Sequence, residues 1–266
     1  MKLNKKEHVK EKDLEVEDMK DLTFERHELT RVYAVGLKFV DVSFKQSIVQ
    51  ECYFRNCVFT NCDFTGANIS HSNFQGSDFI GCTFNYTNFQ GTQIGIAPLN
   101  RNLPGWENTK MTLAKNLRMN YASIGDYNGV NFAIRVELSA TMEHLRKAAF
   151  SREAYYRGKE EYSGGGRILC VFKFIWFWLL DKLWGNGEKP VRMFVSIPLL
   201  LLVVATTCTL VLGQSFTTSV KESFTVFFVG GASQVLGIYA SSVICVLRYI
   251  VMGLFVSSLV RRLSRR

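Results

Sequence analysis

The sequence has no nucleophile set beside a base at motif spacing, no phosphate-cradling loop and no metal-ligand cluster. Its glycine-rich stretches lack the strand-then-helix setting of a nucleotide fingerprint, and its four histidines (His8, His27, His71 and His144) are scattered. No catalytic, cofactor-binding or metal-binding residue is therefore expected, and no enzymatic activity. Residues 1–8 (MKLNKKEH) are charged and contain no apolar core segment, so a cleaved signal peptide is not expected. Charge is itself missing from two long runs. Residues 191–212 carry only Arg192, at their start, and residues 238–260 carry only Arg248. At 1.5 Å of rise per residue, about 20 apolar residues cross a hydrocarbon core about 30 Å thick, so each run is long enough to span a bilayer. An integral membrane protein is expected.

Orientation follows from the cations. Lys182, Lys189 and Arg192 flank the first run, and Arg261, Arg262, Arg265 and Arg266 follow the second. The connection, residues 213–237, has only Lys221 and Glu222 as charges. Lys and Arg are retained on the cytoplasmic side, which places both termini in the cytoplasm, with a bacterial inner membrane as the expected location.

Within the connection, residues 213–218 form a polar turn and residues 219–229 (SVKESFTVFFV) fit a short helix, followed by Gly230, Gly231, Ala232 and Ser233. A helix of about ten residues is too short to cross but can dip into the membrane, and non-helical backbone at that depth needs a cover of protein or water. The stretch reads either as a pore or as the outer loop of a plain two-span anchor. Residues 190–266 resemble the two-transmembrane pore module of the potassium-channel superfamily. The resemblance places Phe228, Val229, Gly230, Gly231, Ala232 and Ser233 on the selectivity filter, keeping its Val-Gly step but not the leading Thr, the aromatic, the second filter glycine or the Asp. It also implies a gating hinge at Gly253 and a homo-tetramer. Arg248 either lines the pore, where a ring of arginines favours anions, or snorkels to the outer interface or meets a carboxylate.

The N-terminal third is built differently. From Leu14 to Ile94 a large apolar residue recurs every five positions, as in Phe54, Phe59, Phe64, Ile69, Phe74, Phe79, Phe84 and Phe89. Two positions before each, the residue is small from Ser47 onward: Cys52, Cys57, Cys62, Ala67, Ser72, Ser77, Cys82, Thr87 and Thr92. Neither helix nor strand has that period, so a repeat architecture is expected. The pattern is identified as that of the pentapeptide-repeat family. The resemblance implies a right-handed quadrilateral β-helix with one pentapeptide per side and both marked residues pointing inward. About four coils, roughly 20 Å of rod at the strand spacing, are expected. Each coil stabilises the next, so the ends need caps. Leu22, His27, Val32, Leu37 and Val42 occupy the small site early on, which predicts wider or less regular early coils. Four of seven cysteines (Cys52, Cys57, Cys62 and Cys82) fall on the small site, at a spacing unlike any zinc signature. With Cys170, Cys208 and Cys245 they are expected to be reduced structural thiols.

Pro98 and Pro104 are expected to end the repeat. Residues 108–120 and 131–162 read as helices separated by a break over residues 125–129, the second with Leu138, Met142, Leu145 and Ala149 on one face. Residues 148–157 and 184–192 resemble the linker of proteins that fuse pentapeptide repeats to a two-span pore module. Gly164, Gly165 and Gly166 read as a hinge. Residues 167–184, with three Trp, Lys173, Asp181 and Lys182, fit an interfacial helix better than a third span, which would put the termini on opposite sides.

The expected organisation is a flexible tail (1–13), a β-helix (14–95), a helical linker (96–166), an interfacial amphipathic helix (167–189) and a two-span pore-like domain with a re-entrant helix (190–266). The expected function is an oligomeric ion channel or pore in the lipid bilayer with a cytoplasmic repeat domain as sensor or scaffold. The alternative is a membrane-anchored scaffold without conductance, its rod binding a protein partner. The net charge of +9 comes largely from the linker and membrane flanks, which suits anionic lipid, and no nucleic-acid partner is expected.

Overall fold

The computed structural model describes residues 8–10 and 19–263, with side chains described for residues 20–260, 262 and 263. The chain divides into two compact units, Met1–Cys170 and Val171–Arg266.

The first unit begins with short strands β1 (His8–Lys10), β2 (Met19–Lys20), β3 (Glu28–Thr30), β4 (Tyr33–Val35), β5 (Lys38–Val40) and β6 (Ile48–Gln50). They continue as β7 (Tyr53–Arg55), β8 (Val58–Thr60), β9 (Asn68–Ser70), β10 (Asp78–Ile80) and β11 (Asn88–Gln90). Every pairing is parallel and joins residues twenty apart. One sheet runs β1-β3-β6-β9-β11, a second β10-β8-β5-β2, and a third starts with β4-β7. Single bridges extend the third through Asn73 and Gln93, and Thr23, Ser43, Asp63 and Thr83 line up as a fourth side. Four sides of five residues give a β-solenoid with a twenty-residue turn. β1 lies inside the stretch expected to be a flexible tail, and Leu14 lies outside the described residues. The early coils keep the register: β3, β4 and β5 pair at the same step, with Val32, Leu37 and Val42 buried. Irregularity is confined to Leu22, which is exposed, and His27, whose Nδ1 lies 2.8 Å from the Glu25 carbonyl.

Corners are made by backbone. From Asp21 to Gly91 every fifth residue has a positive φ, near 55° at Asn56 and 76° at Gly76. An L residue there costs about 1–2 kcal/mol, which favours Gly, Asn and Asp. Tyr86, at φ 57°, is two-thirds exposed (66%), so little packing offsets that strain. Replacing Tyr86 by Gly is expected to stabilise the solenoid by about 0.5–1 kcal/mol, the relieved strain less the added unfolded-state freedom. Hydrogen exchange on the full-length protein would show slower exchange in the peptides around residue 86, and faster exchange would refute it.

The bore is filled with phenylalanine. Rings one coil apart stack at nearly the strand spacing: Phe39–Phe59 4.7 Å, Phe59–Phe79 5.0 Å, Phe44–Phe64 4.8 Å and Phe64–Phe84 5.1 Å between centroids. Neighbouring sides meet edge-on, as Phe39 and Phe54 do at 86°.

The small inward site does more than fit. At several of these positions the polar atom donates to the carbonyl of the large residue one coil back: Cys52 to Leu29 (3.3 Å), Cys82 to Phe59 (3.3 Å), Ser77 to Phe54 (2.6 Å) and Thr87 to Phe64 (2.8 Å). Ser72 and Ser77 also accept the N–H of Cys52 and Cys57. Thiol and hydroxyl are thus interchangeable there because each satisfies a buried main-chain group. The thiols form no disulfide, and burial pushes Cys52 up to about 11 and Cys57 above the ordinary thiol range. In the Cys62–Cys82 pair the hydrogen bond between the two thiols, ahead of burial, raises Cys62 and lowers Cys82.

The five-residue period continues past the expected stop. Leu99, in α1 (Ile96–Arg101), takes the large position and is buried, and Asn102 takes the small one. Asn102 Oδ1 accepts the Cys82 N–H (2.8 Å) and its Nδ2 donates to the Phe79 carbonyl (2.7 Å). Then α2 (Glu107–Ser123) closes the last coil. Asn116 pairs with both main-chain groups of Phe89 (2.7 and 3.1 Å), and Asn120 with both of Thr92 (2.8 and 2.8 Å). A side-chain amide carries the same donor and acceptor as a peptide group, so these asparagines imitate the missing next coil. Leu113, Leu117 and Tyr121 of α2 join the phenylalanine core.

The helix expected over 131–162 is instead α3 (Tyr127–Phe150), then α4 (Ala154–Arg157) and a short turn at Glu160–Tyr162. It starts early because Asp126 caps it, accepting the Gly129 N–H at 2.9 Å. Gly129 is therefore helical and lies against the Tyr121 ring, with no room for a Cβ. It stops early because Arg157 Nη2 and Arg167 Nε donate to the last-turn carbonyls of Ala148 (2.6 Å) and Ala149 (2.8 Å), turning the chain back. The glycine triplet is not a free hinge: it forms the first turn of α5 (Gly164–Trp184), where Gly166 abuts the Glu161 carbonyl. In α5 Ile168, Phe172, Trp176 and Leu179 are exposed. Among the described residues, Pro190–Leu212 and Gly237–Val260 are the two helices long and apolar enough to cross a membrane.

Candidate functional site

The second unit enters its first long helix, α6 (Met193–Leu212), through Pro190–Arg192. Arg192 fixes the entry by donating to the Asp181 carbonyl (2.7 Å), and Ser196 Oγ donates to that of Leu183 (2.9 Å). Gly213, at φ 67°, ends the helix in the left-handed conformation that glycine takes without strain. Helix α7 (Phe216–Phe228) starts three residues before the expected position because Ser215 caps it, accepting the Thr218 N–H at 3.3 Å. After a loop, α8 (Gly237–Leu263) runs to the end of the described chain.

Helix α7 packs on both long helices. Its Ser219, Ser223, Val226 and Phe227 form one buried stripe at helical spacing. Val226 and Phe227 join Leu201 and Cys208 of α6 and Ile244 and Val251 of α8 in one apolar core. The small serines let α7 lie close.

The residues singled out from sequence fall at the end of α7 and beyond. Phe228 and Val229 close the helix and are exposed. Gly230 and Gly231 follow with φ 93° and 98°, two successive conformations that a side chain opposes. Gly231 and Ala232 are exposed, whereas Ser233 is buried. Ser233 pins the loop: its N–H donates to Ser241 Oγ (3.0 Å) and its Oγ accepts the N–H groups of Val235 and Leu236 (3.2 and 3.3 Å). Ser241, one turn into α8, was not legible as a loop partner from sequence, since nothing in an apolar run marks which serine faces a loop.

Arg248 meets this loop. A Cβ on Gly230 would sit 2.7 Å from the Arg248 Nη1. The half-buried Arg248 borders an apolar groove of about 280 Å³ with Phe194, Pro198, Phe227, Met252 and Phe255. It forms no hydrogen bond or ion pair with the described residues. Gly253 stands apart, inside unbroken α8 with open space where a Cβ would go. Among the described residues no group of His, Cys, Asp or Glu could hold a metal ion. His144 is turned to aromatic neighbours, its Nδ1 3.2 Å from the Tyr156 hydroxyl, and burial lowers its pKa.

The fold and its five-residue step define a β-solenoid followed by helices. Residues 37–103, about three turns at the observed step, match the family described as pentapeptide repeat region. Among solved structures the chain is similar to a pentapeptide repeat protein from the thylakoid lumen of Arabidopsis thaliana. Identity is 18%, covering 41% of this chain and 76% of that one, with a TM-score of 0.32. It is also similar to the pentapeptide repeat protein Rfr23 from the cyanobacterium Cyanothece 51142, at 14% identity over 32% of this chain and 75% of that one, with a TM-score of 0.18. No curated protein matches the chain. The family match ends at residue 103 and does not reach residues 190–266.

Proposed function

We propose that this protein is an oligomeric membrane pore whose path is formed by residues 190–266, with the pentapeptide-repeat domain as a cytoplasmic sensor or scaffold. The observation that carries the reading is α7. At 13 residues it is too short to cross a bilayer, yet it packs on two span-length helices and runs directly into the two left-handed glycines. Irregular backbone at membrane depth is stable only where protein or water covers it, and a water-filled path supplies that cover. Only 17% of the residues in each span-length window are buried, whereas the core helix of a soluble protein would be mostly covered. The resemblance of residues 190–266 to the potassium-channel module suggests four subunits. Lys182, Lys189 and Arg192 on one flank, against Lys221 in the connection, favour cytoplasmic termini in a bacterial inner membrane. The partners on this reading are lipid and further copies of the chain, with a protein partner at the solenoid and no nucleic acid, and no enzymatic activity is assigned.

The test is ion flux from liposomes containing the full-length protein, with potassium and chloride assayed separately. Flux of either ion above protein-free vesicles is expected. Tight vesicles at every voltage and pH, with the protein inserted, would count against a pore and in favour of a membrane-anchored scaffold.

A further inference from the structure

The loop between α7 and α8 contains no charged residue, and the one formal charge set beside it, Arg248 of α8, is positive. Residues 229–237 contain no Asp or Glu, and Arg248 is the only ionised residue in Gly237–Val260. Arg248 lies eleven residues into α8, about 16 Å along it. It is therefore near the middle of the span, too deep for a lipid headgroup to neutralise it, and its Nη1 is aimed at Gly230. The acids of the second unit are engaged or placed elsewhere. Asp181 pairs with Arg192, Glu188 lies before α6 and Glu222 lies in α7, and none pairs with Arg248.

Helix ends do not reverse the sign. The C-terminus of α7, at Val229, brings about half a negative charge to the loop, and the N-terminus of α8, at Gly237, brings about half a positive one. The two offset each other and leave the full charge of Arg248. Its apolar groove, lined by Phe194, Pro198, Phe227 and Phe255, lowers the local dielectric and strengthens that field. An ionised group at this depth without an internal counter-ion is costly, and a mobile anion beside the loop would offset the cost.

We infer that the conducting path selects small inorganic anions such as chloride, with Arg248 beside Gly230 as the group that sets the sign. The inference rests on the pore reading, and reversal potentials separate their fates. Full-length protein is reconstituted in planar bilayers under a potassium chloride gradient. The wild type is expected to reverse near the chloride equilibrium potential, with chloride over potassium by about tenfold or more, the ratio given by 1.4 kcal/mol of differential interaction. Arg248→Lys keeps that preference, and Arg248→Glu moves the reversal potential toward potassium. Wild-type reversal near the potassium potential overturns the anion assignment and leaves the pore standing. An Arg248→Glu variant that conducts with unchanged reversal overturns the role of Arg248. No current from inserted wild-type protein overturns both readings. The wild-type measurement alone decides the ion class should Arg248→Glu fail to assemble.

Discussion

Replacing Phe59 by alanine is expected to destabilise the solenoid by about 3–5 kcal/mol, the usual cost of emptying a buried aromatic site. Phe59 is fully buried at the centre of the bore. It stacks on Phe39 at 4.7 Å and on Phe79 at 5.0 Å, and also meets Phe54, Phe64 and Phe74 within 6.1 Å. The narrow bore cannot collapse around the gap, because each side is fixed by ladders to the coils on either hand. Coils are stabilised by their neighbours, so the loss spreads to both. Hydrogen exchange on the full-length protein would report it as a rise of about a hundredfold or more in the β5, β8 and β10 peptides. The same change at Phe24, which is only partly buried and among the described residues stacks on Phe44 and meets His27 edge-on, is expected to have a much smaller effect. Equal losses at the two positions would refute the nearest-neighbour account.

The second large effect is expected at the cap. Asn120→Leu keeps the forked side-chain shape but leaves the N–H and C=O of Thr92 without partners, in a site where Asn120 is 1% and Thr92 0% exposed. An orphaned buried polar group costs about 1–3 kcal/mol, so the substitution should cost about 2–6 kcal/mol in all. Protection should fall in the last coil, β11 and residues 92–95, before it falls at β5 or β8. Asn116→Leu should cost less, because Asn116 lies in a more exposed position where water can replace the lost partner. A uniform loss of protection along the solenoid, or none, would show that the asparagines do not stand in for a coil.

The solenoid could be read from the chain because its cause is local and repeated. A large residue every fifth position with a small one two before it marked a repeat, and the resemblance to pentapeptide-repeat proteins implied the four-sided coil from which the twenty-residue register follows. The small site was legible by size but not by chemistry. That Cys52, Ser77 and Thr87 each satisfy a carbonyl twenty-three residues back depends on which main-chain groups the ladder leaves open. Asn102 was within reach of sequence reasoning, since it stands twenty residues after Cys82, but two prolines suggested that the repeat had stopped. Asn116 and Asn120 obey no period, because a helix presents them, and no spacing in the chain could mark them.

For the second unit, apolar length alone determined the two span-length helices, and polar residues before and after α7 marked a short helix between them. Hydrophobicity is summed over a run, so it survives without knowledge of neighbours. The sequence also determined that Arg248 would lie deep in its run, while leaving three surroundings open for it. Only the tertiary structure decided that its guanidinium faces Gly230, that Ser241 holds the loop through Ser233, and that Arg157 and Arg167 turn the chain back at the end of α3. Each of these contacts is made by groups whose separation in space is set by how helices pack, and a pattern along one chain carries no such distance.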